Sequence, residues 1–220
     1  MQTTTKAARA VSETGRRVFR VAELEKWGIS QSASYRHVRA DGPWTRLAPG
    51  IALVVPGEPT LDDRIQAALL RAGPGAMVTG FHAARLHGLE TPSKDADIHI
   101  LIPHGRKIQS YPGVRYERTT RLPQPVYIEG VPTAPVTRAV MDGARTWQTF
   151  TFTRRLLFEA IMEKKGCRAD ELTAEMEAGC RRGTGLPRAI LRAFRSGLTS
   201  TGSQQEHAAP PDFTPQQSAA

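Results

Sequence analysis

The spacing of apolar residues changes several times along the chain, and each change marks a different element. Val18 and Phe19 form a short extended pair, after which Val21, Leu24 and Trp27 recur every three residues, the period of one helix face. Gly28 ends that helix, and residues 3–14 form a weakly patterned helix before it that stops at Gly15. Ser30 is placed to cap a third helix by accepting a hydrogen bond from its first turn. Projected at about 100° per residue, Gln31, Ser32, Tyr35, Arg36 and Arg39 fall on one side of that helix, and Ala33, Ser34, His37 and Val38 on the other. Gly42-Pro43 breaks the helix, Trp44 to Leu47 run as an apolar strand, Pro49-Gly50 turns the chain, and Ile51 to Val55 return. Two helices around a glycine turn, followed by a hairpin, predict a winged helix-turn-helix over residues 1–56. In that arrangement Trp44 and Leu47 pack on the helices, and Thr45 and Arg46 face outward.

"VPGEPT" (residues 55–60) interrupts regular structure, and Thr60 with Asp63 has the spacing of a capping box. "LDDRIQAALLRAG" then reads as an amphipathic helix through Leu61, Ile65, Ala68, Leu69 and Ala72, and "VTGFHAARLHGL" as a second, capped by Thr79. "ADIHILIP" alternates like a half-buried strand; "GVRYER" and "PVYIEGVPT" add further strands. Helices are predicted near 135–146, 153–165, 170–180 and 186–195. Short strands framed by helices make residues 57–197 a mixed α+β region ending in helices, so the fold class is α+β. From about Leu198 the chain is rich in Ser, Gln, Pro and Ala, and residues 198–220 are expected to be disordered.

Charge sharpens this picture. The net charge is +9, of which residues 1–56 carry +5 and residues 147–197 carry +4, while the middle is close to balanced. An excess placed this way favours polyanionic partners. Gln31, Ser32, Tyr35, Arg36 and Arg39 suit base edges and phosphates in a major groove, and Arg46 a flanking phosphate. The apolar runs are too short to span a bilayer and the N-terminus lacks a signal-peptide core, so no membrane is expected and the location is cytoplasmic. The basic stretch from Arg154 to Arg195 fits either a partner-binding or a second DNA-contacting surface.

Catalytic constellations are weak. Cys167 and Cys180 are too few for a disulfide framework or a zinc site. His82 and His87 are five apart, whereas two ligands on one helix face need three or four. Asp95, Asp97 and His99 share one face of the predicted strand, and a carboxylate pair there could hold Mg²⁺ for nucleotidyl transfer, but a triphosphate-cradling turn is missing. No enzyme activity, catalytic residue, metal or cofactor is expected.

"FRVAELEKWGISQSASYRHVRADGPWTRLAPGIALV", "VTGFHAARLHGL", "HILIP", "GVRYERT" and "EGVPTAPVTRAVMDGAR" occur in an order and spacing that resembles the AbiEi-like antitoxins of type IV toxin–antitoxin (abortive-infection) systems. The resemblance spans roughly residues 7–197. It implies an autorepressor whose winged helix binds double-stranded operator DNA of its own operon through Gln31, Ser32, Tyr35, Arg36, Arg39 and Arg46. It also implies that the second domain counteracts a nucleotidyltransferase-like toxin, and that Phe81, Leu86, Gly88, Pro135, Arg138 and Asp142 shape that domain's core and buried polar contacts. His37 and Ser34 depart from relatives' basic and aliphatic residues there, and longer relatives continue into a very-short-patch-repair-endonuclease-like domain that this chain lacks. An orphan winged-helix regulator without a toxin, or a truncated nuclease or nucleotidyltransferase relative, are the alternatives.

Overall fold

Small side chains one turn apart, Ala7 and Ala10, let helix α1 (Gln2–Thr14) lie against the core of the N-terminal region. The computed structural model describes residues 2–91, 96–146, 149–164 and 167–196; the expected disorder of 198–220 lies outside them. Strand β1 (Val18–Arg20) leads into α2 (Val21–Leu24) and a 3-10 turn over Glu25–Trp27. Gly28 closes that turn at φ +71°, and Lys6 donates to its carbonyl at 2.8 Å. Ser30 accepts from the backbone N–H of Ala33, as its position predicts, and opens α3 (Gln31–His37). Strands β2 (Thr45–Ala48) and β3 (Ile51–Leu53) form a hairpin with a register irregularity between Arg46 and Ala48, and β1 pairs antiparallel with β3 to give the sheet order β1-β3-β2. Phe19, Leu24, Ile29, Ala33, Trp44 and Ala52 fill the space between sheet and helices.

Two expectations are corrected here. The third helix ends at His37, so Arg39 stands in the turn that follows and not on the helix. The returning chain stops it: Trp44 donates its N–H to the His37 carbonyl at 3.0 Å, the acceptor that another helical turn would need. Trp44 is buried, its ring 4.8 Å from that of His37, but Leu47 packs elsewhere, with Val18, Ile51, Leu53 and Ala67.

The six residues 55–60 are irregular, as their prolines require. Thr60 and Asp63 then exchange the two reciprocal hydrogen bonds of a capping box and start α4 (Leu61–Ala72). This helix serves two cores. Ala67 joins the cluster of Val18, Ile51 and Leu53, while Ile65, Ala68 and Ala72 pack on the second sheet. Arg17 also reaches Asp63 at 3.4 Å, and Arg20 donates to the Leu70 carbonyl.

The second sheet is mixed, with strand order β6-β5-β4-β8-β7, built from β4 (Met77–Thr79), β5 (Ile98–Pro103), β6 (Val114–Thr119), β7 (Val126–Ile128) and β8 (Val131–Thr133). β5 runs antiparallel to β4 and parallel to β6. It is not half-buried as its alternation predicts: every residue from Ile98 to Ile102 is buried. Because β5 lies between β4 and β6 with both faces covered, Ile98, Ile100 and Ile102 join the cluster on α4, and His99 and Leu101 are buried on the other side. Helices α5 (Gly80–Leu86), α6 (Val136–Thr146), α7 (Phe150–Phe158), α8 (Ala169–Ala178) and α9 (Gly185–Arg195) form a further layer, and a π-helical stretch over Glu159–Lys164 extends α7. Their core holds Phe81, Leu89, Met141, Leu156, Leu172 and Leu191. Of the residues the resemblance assigns to this core, Phe81 is buried, Leu86 and Pro135 are half-buried, and Gly88 is exposed; Leu89 fills the interior place instead.

The turn after α3 has no room for a side chain at Gly42, where a Cβ would come within 2.1 Å of the His37 carbonyl oxygen. Gly42→Ala is therefore expected to destabilise the protein by about 2 kcal/mol or more. Urea or thermal unfolding followed by tryptophan fluorescence checks this through Trp44.

Candidate nucleic-acid interface and a buried polar cluster

The outward face of α3 is set by what its inward face must bury. Ala33 and Ser34 turn into the core, which leaves Gln31, Ser32, Tyr35 and Arg36 exposed, with Arg39 and Arg46 exposed beyond them. His37 is half-buried; its Nδ1 lies 2.8 Å from the Ala33 carbonyl and its ring lies against Trp44, which makes it a packing residue. Ser32 shares a hydrogen bond with Ser30 at 3.1 Å, so its hydroxyl is tied to the helix cap.

The cations of this region divide into two groups. Lys6 holds the Gly28 carbonyl, Arg9 pairs with Glu13 at 2.6 Å, Arg16 with Glu23 at 3.0 Å and Arg17 with Asp63, and Arg20 binds the Leu70 carbonyl. Arg36, Arg39 and Arg46, together with Lys26, make no ion pair or side-chain hydrogen bond among the described residues. Arg46 lines a recess of about 310 Å³ with Thr45, Glu58 and Arg64, between the hairpin and the loop ahead of β6. The sequence projection places the exposed residues correctly. It does not reveal which arginines are already committed to carboxylates, because those partners come from other elements.

A second concentration of charge is buried. The register of the larger sheet sets Thr79 opposite His99 and His99 opposite Arg115, so three strands bring a polar row to one face, with Glu117 two residues along β6. Onto this face α6 delivers Arg138, Asp142 and Arg145, spaced four and three residues apart. The Asp142 carboxylate accepts from the Thr79 hydroxyl at 2.7 Å, from Arg138 Nε at 2.8 Å and from Arg145. Thr79 was expected to cap α5; its side chain makes no capping bond, because Asp142 takes its hydroxyl. Glu117 receives His99 Nε2 at 3.1 Å, Arg115 at 3.3 Å and Arg145 at 3.4 Å. Arg138 also reaches the Arg121 carbonyl at 3.3 Å and Glu175 of α8 at 3.7 Å. Sheet, loop and two helices thus meet at one guanidinium.

Burial lowers the pKa of His99 and keeps the ring neutral. His99 Nε2 lies 3.1 Å from the Glu117 carboxylate, and one Arg115 amino group lies 3.0 Å from Nε2 and 3.2 Å from Nδ1. The His99 hydrogen bond, helped by the charges of Arg145 and Arg115 and opposed by partial burial, holds the Glu117 carboxyl down to about 2. His99 and Arg115 line a recess of about 270 Å³ with Gly80, Phe81, Asp97 and Gly143. Both ring nitrogens lie within hydrogen-bond distance of a neighbouring side chain. Asp97 is exposed and stands just ahead of β5, lining the same recess as His99; Asp95 lies outside the described residues. Among the described residues no group of three or more His, Cys, Asp or Glu side chains could hold a metal ion, and no helix is long and apolar enough to cross a membrane.

The cluster makes stability depend on acid. The folded-state pKa of Glu117 lies below its unfolded value of 4.5, so its contribution is complete above pH 4.5 and is lost as pH falls toward 2. His99 is lowered from 6.5, so its neutral form adds stability that is complete above pH 6.5 and begins to be lost below it. The unfolding midpoint should therefore fall in two stages on acidification. Glu117→Gln should shrink the stage below pH 4.5 and leave the one below pH 6.5, as measured by thermal melts across that range.

No family model matches this chain, and no curated protein does. Among solved structures the chain is similar to the RV2827C protein from Mycobacterium tuberculosis, with a TM-score of 0.59 and 15% identity over 88% of this chain and 77% of that one. At that identity the likeness is one of fold: a mixed α+β architecture in which helices outnumber strands.

Proposed function

We propose that this chain is a DNA-binding autorepressor that reads its own operator through a winged helix-turn-helix, and that it is the antitoxin of a type IV system opposing a nucleotidyltransferase-like toxin. The observation that carries the DNA-binding part is the division of the N-terminal cations. Arg9, Arg16, Arg17 and Arg20 are paired with carboxylates or a carbonyl, whereas Arg36, Arg39 and Arg46 stand exposed and without partners among the described residues. Keeping several unpaired guanidinium groups close in sequence incurs mutual repulsion, which phosphate groups would relieve. Gln31 and Tyr35 lie on the same exposed face and add a bidentate amide and a half-exposed ring suited to base edges. The antitoxin part rests on the family resemblance of the sequence alone. The cytoplasm is the compartment this reading requires.

The test is operator binding by the purified full chain, followed by fluorescence anisotropy on the DNA upstream of its own gene. Arg36→Ala and Arg39→Ala should each cost about 1 to 3 kcal/mol of specific affinity, with the unrelated-sequence control less affected. Arg46→Ala should weaken all sequences alike and reduce the salt-dependence slope by about one phosphate contact. Unchanged affinity in all three variants overturns the DNA-reading assignment. Rescue of growth on co-expression with the toxin encoded beside it decides between an antitoxin and a repressor without a toxin.

A further inference from the structure

Helix α7 spends its inward positions on the core, where Thr153, Leu156 and Leu157 are fully buried. It nevertheless keeps large apolar side chains outside. Phe150 is 61% exposed, Phe158 is 37% exposed, and Met162 in the π-helical stretch is 65% exposed. Positions 150, 154, 158 and 162 are spaced four apart, so these side chains follow one edge of the helix, with Arg154 among them and Arg155 beside it. α9 packs next to this edge and widens it, since Phe194 brings its ring within 6.2 Å of Phe158. Arg154 and Arg155 are exposed and make no ion pair or side-chain hydrogen bond among the described residues. Glu163 is the one exposed carboxylate among the described side chains of α7 and its π-helical extension.

We infer that this edge of α7 and α9 is a docking surface for an acidic protein segment with apolar side chains, in the form of an amphipathic helix laid along it. Charge selects the partner's sign. Phe, Met and Arg are the residue types enriched at protein interfaces, and surplus exposed apolar area in a row is the mark of a partner site. DNA fits less well. Phosphates offer nothing to Phe150 and Met162, and an intercalating wedge uses one or two tips, whereas these side chains extend over about 12 Å of α-helix from Phe150 to Phe158, at about 1.5 Å per residue, and on into the π-helical stretch that carries Met162. A membrane surface fits less well too, because the broad apolar face of α7 is already buried in the core and only a narrow row is left. The surface lies on elements other than α3, so it stands or falls separately from operator binding.

The probe is a synthetic amphipathic helix of repeating Glu and Leu, titrated into the full chain and read by anisotropy. The controls are a scrambled peptide of equal charge, random-sequence duplex DNA, and vesicles of phosphatidylglycerol with phosphatidylcholine. The amphipathic peptide should bind at least about tenfold more tightly than the scrambled one. Phe150→Ser with Met162→Asp, and separately Arg154→Glu with Arg155→Glu, should each reduce that binding by about tenfold, with the circular dichroism spectrum and the operator affinity unchanged. All four positions are exposed, which spares the fold. Equal binding of both peptides, peptide binding indifferent to either double variant, or loss of duplex or vesicle binding as the main effect of Arg154→Glu with Arg155→Glu each overturns the inference.

Discussion

The C-terminal half of the molecule depends on one buried carboxylate. Asp142 is 1% exposed, and a charge so placed is tolerated only when its oxygens are matched by donors and opposite charge. Thr79, Arg138 and Arg145 supply that match from β4 and from the same helix. Removing one member of such a set costs about 3 to 5 kcal/mol, because the remainder is left buried and uncompensated. The position of α6 over the sheet is therefore fixed by electrostatics as well as by packing. Phe81 against Gly143 supplies the apolar part, since a Cβ at Gly143 would sit 2.9 Å from the ring.

Arg138 extends this constraint outward. It contacts Asp142, the Arg121 carbonyl and the Glu175 carboxylate, so the sheet, its following loop and α8 share one planar donor group. His99 and Glu117 close the network on the sheet side. The N-terminal half uses charge differently. Arg16, Arg17 and Arg20 are committed to Glu23, Asp63 and the Leu70 carbonyl, and α4 joins the two halves through Ala67, Asp63 and that carbonyl.

Much of this was legible in the residues themselves. Gly15, Gly28 and Gly50 mark turns because only a residue without a Cβ adopts positive φ at little cost, and all three do so. Thr60 with Asp63, and Ser30 ahead of α3, identify helix starts because capping is local chemistry. The exposed row of α3 followed from helical geometry. What escaped was whatever depended on neighbours distant in sequence. "DIHILI" alternates and so reads as a strand with one wet face, yet both of its faces are covered. Thr79 has the identity and position of a cap, yet its hydroxyl is used by a residue 63 positions away.

The amino-acid sequence by itself determined the mixture of helices and short strands, the capped starts of α3 and α4, and which side of α3 faces outward. Each of these is settled by torsional preference, capping or periodicity within a few residues. Tertiary structure alone decided that His99, Arg115 and Glu117 meet Asp142 and its arginines, which arginines of the N-terminal region are paired among the described residues and which are not, and that Phe150, Phe158 and Met162 are left outside the core. Strand register and helix placement bring those groups together, and both are set by the burial of the whole chain.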